Sequence, residues 1–73
     1  MFKENLINLR KLHHLTQEDL AEKLGISRQS IAKWETGETS PDLEKCRKLA
    51  DIFGVTLDAL ANYNKQDNLG LEI

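Results

Sequence analysis

At 73 residues the chain is long enough for one domain, because a chain of this size buries only about 60% of its unfolded surface and cannot fill two cores. With 40% apolar and 30% charged residues, four glycines and one proline, it is neither collagen-like nor compositionally disordered. The net charge of −2 argues by itself against a chain that clings to nucleic acid, but residues 1–34 carry six Lys or Arg against four Asp or Glu, and residues 35–73 carry four against eight.

Apolar residues recur at spacings of three and four, which predicts five helices and an all-α fold. The first helix is expected from about Lys3 to His13, with Leu6, Leu9 and either Leu12 or His13 on its inner stripe. Thr16 caps the second, where Asp19 brings a carboxylate to the positive helix end and Leu20, Ala21 and Leu24 face inward. Gly25 stops it, and Ser27 caps a third helix over Arg28 to Thr36. After Gly37, Ser40 is the expected cap of a fourth helix, with Pro41 as its first residue and Asp42 in the first turn. The stripe of that helix is Leu43, Cys46, Leu49, Ala50 and Phe53, and Gly54 ends it. Thr56 caps a short fifth helix containing Leu57, Leu60 and Ala61. Residues 1–62 are expected to form the domain, and 63–73 a tail, a linker or a dimerisation segment, with Leu69 to Ile73 as an edge-strand candidate.

No apolar run approaches the roughly 18 residues of a membrane span, and "MFKENLINLR" lacks a signal-peptide core, so the expected compartment is the cytoplasm. Cys46 is the only cysteine, which removes internal disulfides and cysteine-based zinc sites and fits a reducing compartment. His13 and His14 are adjacent, about 100° apart on a helix, and do not converge on one metal. Ser27 and Ser30 have no histidine at a spacing that suggests a nucleophile and its base, and the glycines form no phosphate loop. Neither an enzyme, a metal nor a cofactor is expected.

Two short helices joined by a tight glycine-containing corner form a helix-turn-helix. On the second of them Ile31, Trp34 and Glu35 cluster on one side, and Arg28, Gln29, Ala32, Lys33 and Thr36 on another. That outer face carries side chains suited to a major groove: Arg and Lys donate to guanine, Gln pairs with adenine, and Ala32 clears a thymine methyl. The plain alternative for Arg28, Gln29 and Lys33 is a solvated helix face. For Trp34 and Cys46, core packing is the expected role.

From Leu9 to about Leu60 the chain resembles the five-helix, lambda-repressor-like DNA-binding domain of the phage repressor and Cro (XRE) family, through "LTQEDLAEKLGISRQSIAKWETG", "SPDLEKCRKLADIFGV" and "LDAL". The resemblance implies base contacts from Arg28, Gln29 and Lys33, and backbone contacts from Gln17, Ser27, Ser30, Thr36, Thr39 and Ser40. It also implies a partly buried ion pair between Arg10 and Glu35, and a dimer contact around Leu57, Leu60, Tyr63 and the tail. Glu38, within the backbone-contacting loop, is expected to point away from phosphate. The expected function is that of a transcriptional regulator, a repressor, binding an inverted repeat in double-stranded DNA as a homodimer. Gln17→Ala is then expected to weaken all duplexes alike, and Gln29→Ala to change which are preferred. The acidic second half motivates the alternative, an antitoxin-like interaction module that keeps the fold as a scaffold for a protein partner.

Overall fold

The computed structural model describes residues 2–62, the side chain of Asn62 excepted, and folds them into five helices. These are α1 (Phe2–Leu12), α2 (Gln17–Leu24), α3 (Arg28–Thr36), α4 (Leu43–Phe53) and α5 (Leu57–Asn62). There is no strand among the described residues, and the expected edge strand at Leu69 to Ile73, like Tyr63, lies outside them. No helix among the described residues is long and apolar enough to cross a membrane.

Helix starts follow local hydrogen bonding. Thr16 Oγ1 accepts from the Asp19 N–H at 2.9 Å while Asp19 Oδ2 accepts from the Thr16 N–H at 3.0 Å, a closed capping box. Hydrogen bonding to the Asp19 carboxylate, first from the Thr16 N–H and then from the Thr16 hydroxyl, lowers that carboxyl below its usual range. Ser27 Oγ accepts from the Ser30 N–H at 3.3 Å, and Thr56 Oγ1 from that of Ala59 at 2.9 Å. The expected start of α4 needs correction. Asp42, not Ser40, is the cap, its Oδ1 accepting from the Lys45 N–H at 2.9 Å, so the helix begins at Leu43 and Pro41 lies outside it. Serine and aspartate cap about equally well, and the negative carboxylate gains additionally from the positive helix end.

Helix α1 ends at Leu12, one residue short of the expected His13, because the chain turns through His14 at φ 58°. Leu12, the last helical residue, is 67% exposed, while the His13 ring packs against Phe53 with centroids 5.4 Å apart. Leu43, at 61% exposure, is likewise not part of the α4 stripe, and Leu57 is 38% exposed. Both stand in the first turn of their helices, ahead of the segments covered by neighbours. Ala61 is exposed and Cys46 only half-buried.

The core joins Leu6 and Leu9 of α1, Leu20, Ala21 and Leu24 of α2, Ile31 and Trp34 of α3, Leu49 and Phe53 of α4, and Leu60 of α5. None of the five helices exceeds 11 residues, below the roughly 12–15 at which an isolated helix becomes even marginal in water. This shared interior, at about 2 kcal/mol per buried leucine, is what holds them. Helix α1 bridges α3 and α5, α2 packs on α3, and α4 closes against α5 and α2. Asn5 is buried against that interior, and its Nδ2 donates to the Leu60 carbonyl at 3.1 Å and the Ala61 carbonyl at 3.3 Å.

Candidate nucleic-acid interface

The corner between α2 and α3 is built from Gly25 at φ 72°, where a left-handed residue lets the Ile26 N–H return to the Ala21 carbonyl at 3.0 Å. Ala21, almost fully buried, carries a single methyl group at the point where α2 meets α3. Burial of Ile31 and Trp34 then fixes the rotation of α3 about its axis. Arg28, Gln29, Lys33 and Thr36 are left exposed together on the opposite side, with Ala32 partly covered between them.

The tilt of α3 is held by an ion pair across 25 residues of sequence. Arg10 Nε donates to Glu35 Oε2 at 2.6 Å and Arg10 Nη2 to Oε1 at 3.0 Å, a two-pronged pairing with side chains only 13% and 6% exposed. Arg10 Nη1 also donates to the Leu15 carbonyl at 2.9 Å, which binds the connection after α1 to the same guanidinium. A third donor reaches Glu35: Gln17 Nε2 lies 3.0 Å from Oε1.

Around these residues opens a cleft of about 540 Å³, whose rim includes Lys11, His14, Thr16, Gln17, Glu18 and Arg28. At the start of α2 the Asp19 N–H is taken by Thr16, and the rim of the cleft there carries both the positive helix end and the Glu18 carboxylate. Ser27 and Ser30 share a hydroxyl hydrogen bond of 3.1 Å, which leaves one hydroxyl hydrogen of the pair to donate outward. The Thr36 hydroxyl donates to the Lys33 carbonyl at 3.0 Å, and the Glu38 and Thr39 N–H groups turn back to that carbonyl at 2.9 and 3.3 Å. In the loop after α3, the Glu38, Thr39 and Ser40 side chains are all exposed.

The expected site residues therefore divide. Arg28, Gln29 and Lys33 share one exposed face, and Gln17, Ser27 and Ser30 line the starts of α2 and α3. Leu60 sits apart from them, 1% exposed within its own chain, and has no surface to offer a second copy. Leu57 retains some, and Tyr63 lies outside the described residues. Two features escape a reading of the sequence: the Gln17 bond to Glu35 and the anchoring of α5 by Asn5. The only signal for Asn5 is a polar residue four positions before Leu9, in phase with the apolar stripe.

The Helix-turn-helix family model matches residues 6–60. The chain belongs to this family of transcriptional regulators. It is a family of regulators and not of enzymes. An HTH-type transcriptional regulator of Methanocaldococcus jannaschii is 45% identical over 65 residues, covering 89% of this chain and 98% of that one. The transcriptional activator BcrR of Enterococcus faecalis is 46% identical over 59 residues, covering 81% of this chain but 29% of its own length. The cryptic phage CTXphi transcriptional repressor RstR of Vibrio cholerae is 41% identical over 58 residues, covering 80% of this chain and 52% of its own. Among solved structures, a transcriptional regulator from Listeria innocua superposes with a TM-score of 0.82 at 36% identity, covering 99% of this chain and 76% of that one. The chain thus spans nearly all of the first relative but about half or less of the other two.

Proposed function

We propose that the chain is a sequence-specific double-stranded DNA-binding transcriptional regulator, a repressor, that places α3 in the major groove of an inverted-repeat operator as a homodimer. The carrying observation is the exposed face of Arg28, Gln29 and Lys33 on a helix fixed in rotation by Ile31 and Trp34 and in tilt by the Arg10–Glu35 pair. In this reading those three side chains meet base edges, while Gln17, Ser27, Ser30, Thr36, Thr39 and Ser40 meet the sugar-phosphate backbone. A contact by Thr36 exchanges its present bond to the Lys33 carbonyl for one to phosphate.

One such helix reads only a few base pairs, so useful specificity needs two half-sites about 34 Å apart, and a dimer supplies them. Of the described residues in the proposed contact, Leu57 keeps exposed surface while Leu60 is buried; Tyr63 and the tail, which complete the proposal, lie outside the described residues. A domain seated in the groove acts by excluding other proteins from the same site, and a phage repressor is among its relatives. Its place of action is where the DNA is, the cytoplasm. No cofactor enters this reading.

Selection from a pool of random duplexes at moderate salt tests it. Enrichment of an inverted repeat with half-sites about ten base pairs apart is the expected result. Folded protein that enriches nothing would overturn the reading. The exposed Leu43 and the acidic balance of residues 35–73 favour a second one, an antitoxin-like interaction module. Its mark is a stoichiometric protein partner copurifying from native cells, with no DNA binding by the isolated chain.

A further inference from the structure

Glu35 carries more than an ion pair. Its Oε1 accepts at 3.0 Å from Arg10 Nη2 on α1 and at 3.0 Å from Gln17 Nε2 at the start of α2, while Oε2 takes Arg10 Nε at 2.6 Å. The orientation of the Gln17 carboxamide is fixed by chemistry, since a carboxylate only accepts and the amide nitrogen alone can face it. One carboxylate on α3 is therefore grasped from two directions, by the helix behind it and by the helix that opens toward the cleft.

From this arrangement we infer that Gln17 is a positioning residue for α3: its carboxamide transmits the placement of the α2 start, through Glu35, to the tilt of the helix bearing Arg28, Gln29 and Lys33. The inference rests on the proposed function, and it deepens it by changing what Gln17 does there. A carboxamide has two donor hydrogens, of which Glu35 takes one. The other remains for a phosphate, so backbone contact and base reading are joined at a single side chain. Loss of the Gln17 side chain then reduces discrimination between duplexes and not merely affinity for all of them. A residue touching phosphate alone would do the reverse, lowering every affinity by the same factor and leaving the ratio between duplexes intact.

The test is a double-mutant cycle on the full chain with Gln17→Met, which keeps length and helix propensity but removes the donor, and Glu35→Gln, which keeps an acceptor for Arg10. Binding to the selected duplex and to a scrambled one is measured for each variant at several salt concentrations. Gln17→Met is expected to narrow the ratio of the two affinities about 5- to 10-fold, and to have little further effect in the Glu35→Gln background. An unchanged ratio, with both affinities lowered alike, or an undiminished loss in that background, overturns the inference. Should Glu35→Gln not fold, the ratio for Gln17→Met decides alone. If the unaltered chain discriminates among no duplexes, it is the proposed function that fails. The brace is then judged without DNA, by amide hydrogen exchange: faster exchange across Arg28 to Thr36 in Gln17→Met supports it, and unchanged rates overturn it.

Discussion

His14 takes φ 58°, the left-handed region where a side chain costs roughly 1–2 kcal/mol and which histidine enters more readily than most. It stands where a helix end more commonly uses glycine. Replacement by glycine relieves that strain but adds about 0.4–1 kcal/mol of unfolded-chain entropy, so the balance favours the variant. His14→Gly is expected to stabilise the domain by about 0.5 kcal/mol, read as a rise in the midpoint of thermal unfolding. At the same scale, burial, and secondarily the Asp42 carboxylate, push the Cys46 thiol above its ordinary range. The thiolate is the nucleophile, so near pH 8.5 Cys46 should alkylate more slowly in the folded protein than in urea. Its folded value being the higher, the stability it contributes is complete below the ordinary thiol range and declines as pH rises from there through the folded value.

Among the elements, α5 depends most on a partner. It has six residues, an N-terminal cap at Thr56, and, among its described side chains, Leu60 alone deeply buried. Its Leu60 and Ala61 carbonyls accept from Asn5 of α1, 55 residues away from Leu60 in sequence. Asn5→Ala leaves those carbonyls without their donor, at a cost of about 1–3 kcal/mol. For a domain of this size the midpoint should fall by roughly 4–8 °C per kcal/mol, and hydrogen exchange should quicken first in α5. The starts of α2 and α3 were legible because Thr16 and Ser27 each cap their own helix within three residues. The start of α4 was not, because Ser40 and Asp42 are near-equal caps two positions apart, and only the bond to Lys45 decides between them.

For the whole molecule, the proposed docking makes Gln29 a base reader and thereby separates it from Gln17. Gln29→Ala should retain the fold, since its side chain is exposed, and should relax selection at one position of each half-site by about 1–3 kcal/mol. Repeating the duplex selection with the variant reads this directly, and an unchanged preferred site would remove Gln29 from the base-contacting set.

What the sequence determined by itself is whatever depends on neighbours within a turn or two: five helices, the glycine corner, and the outward phase of Arg28, Gln29 and Lys33. Periodicity assigns a residue to a stripe, but cannot tell where along the stripe another helix lies. Leu12, Leu43 and Leu57 look like core in phase and are exposed in space. The tertiary structure alone decided the contacts between elements far apart in the chain. It brought Asn5 onto the end of α5 and Gln17 onto Glu35, and it withdrew Leu60 into the core. Even the Arg10–Glu35 pair was an implication of resemblance until the packing of α1 on α3 brought the two side chains within 2.6 Å. The physical reason is range: caps and phase act through covalently fixed geometry over three or four residues, whereas a buried polar bond exists only once the apolar core has packed its helices together.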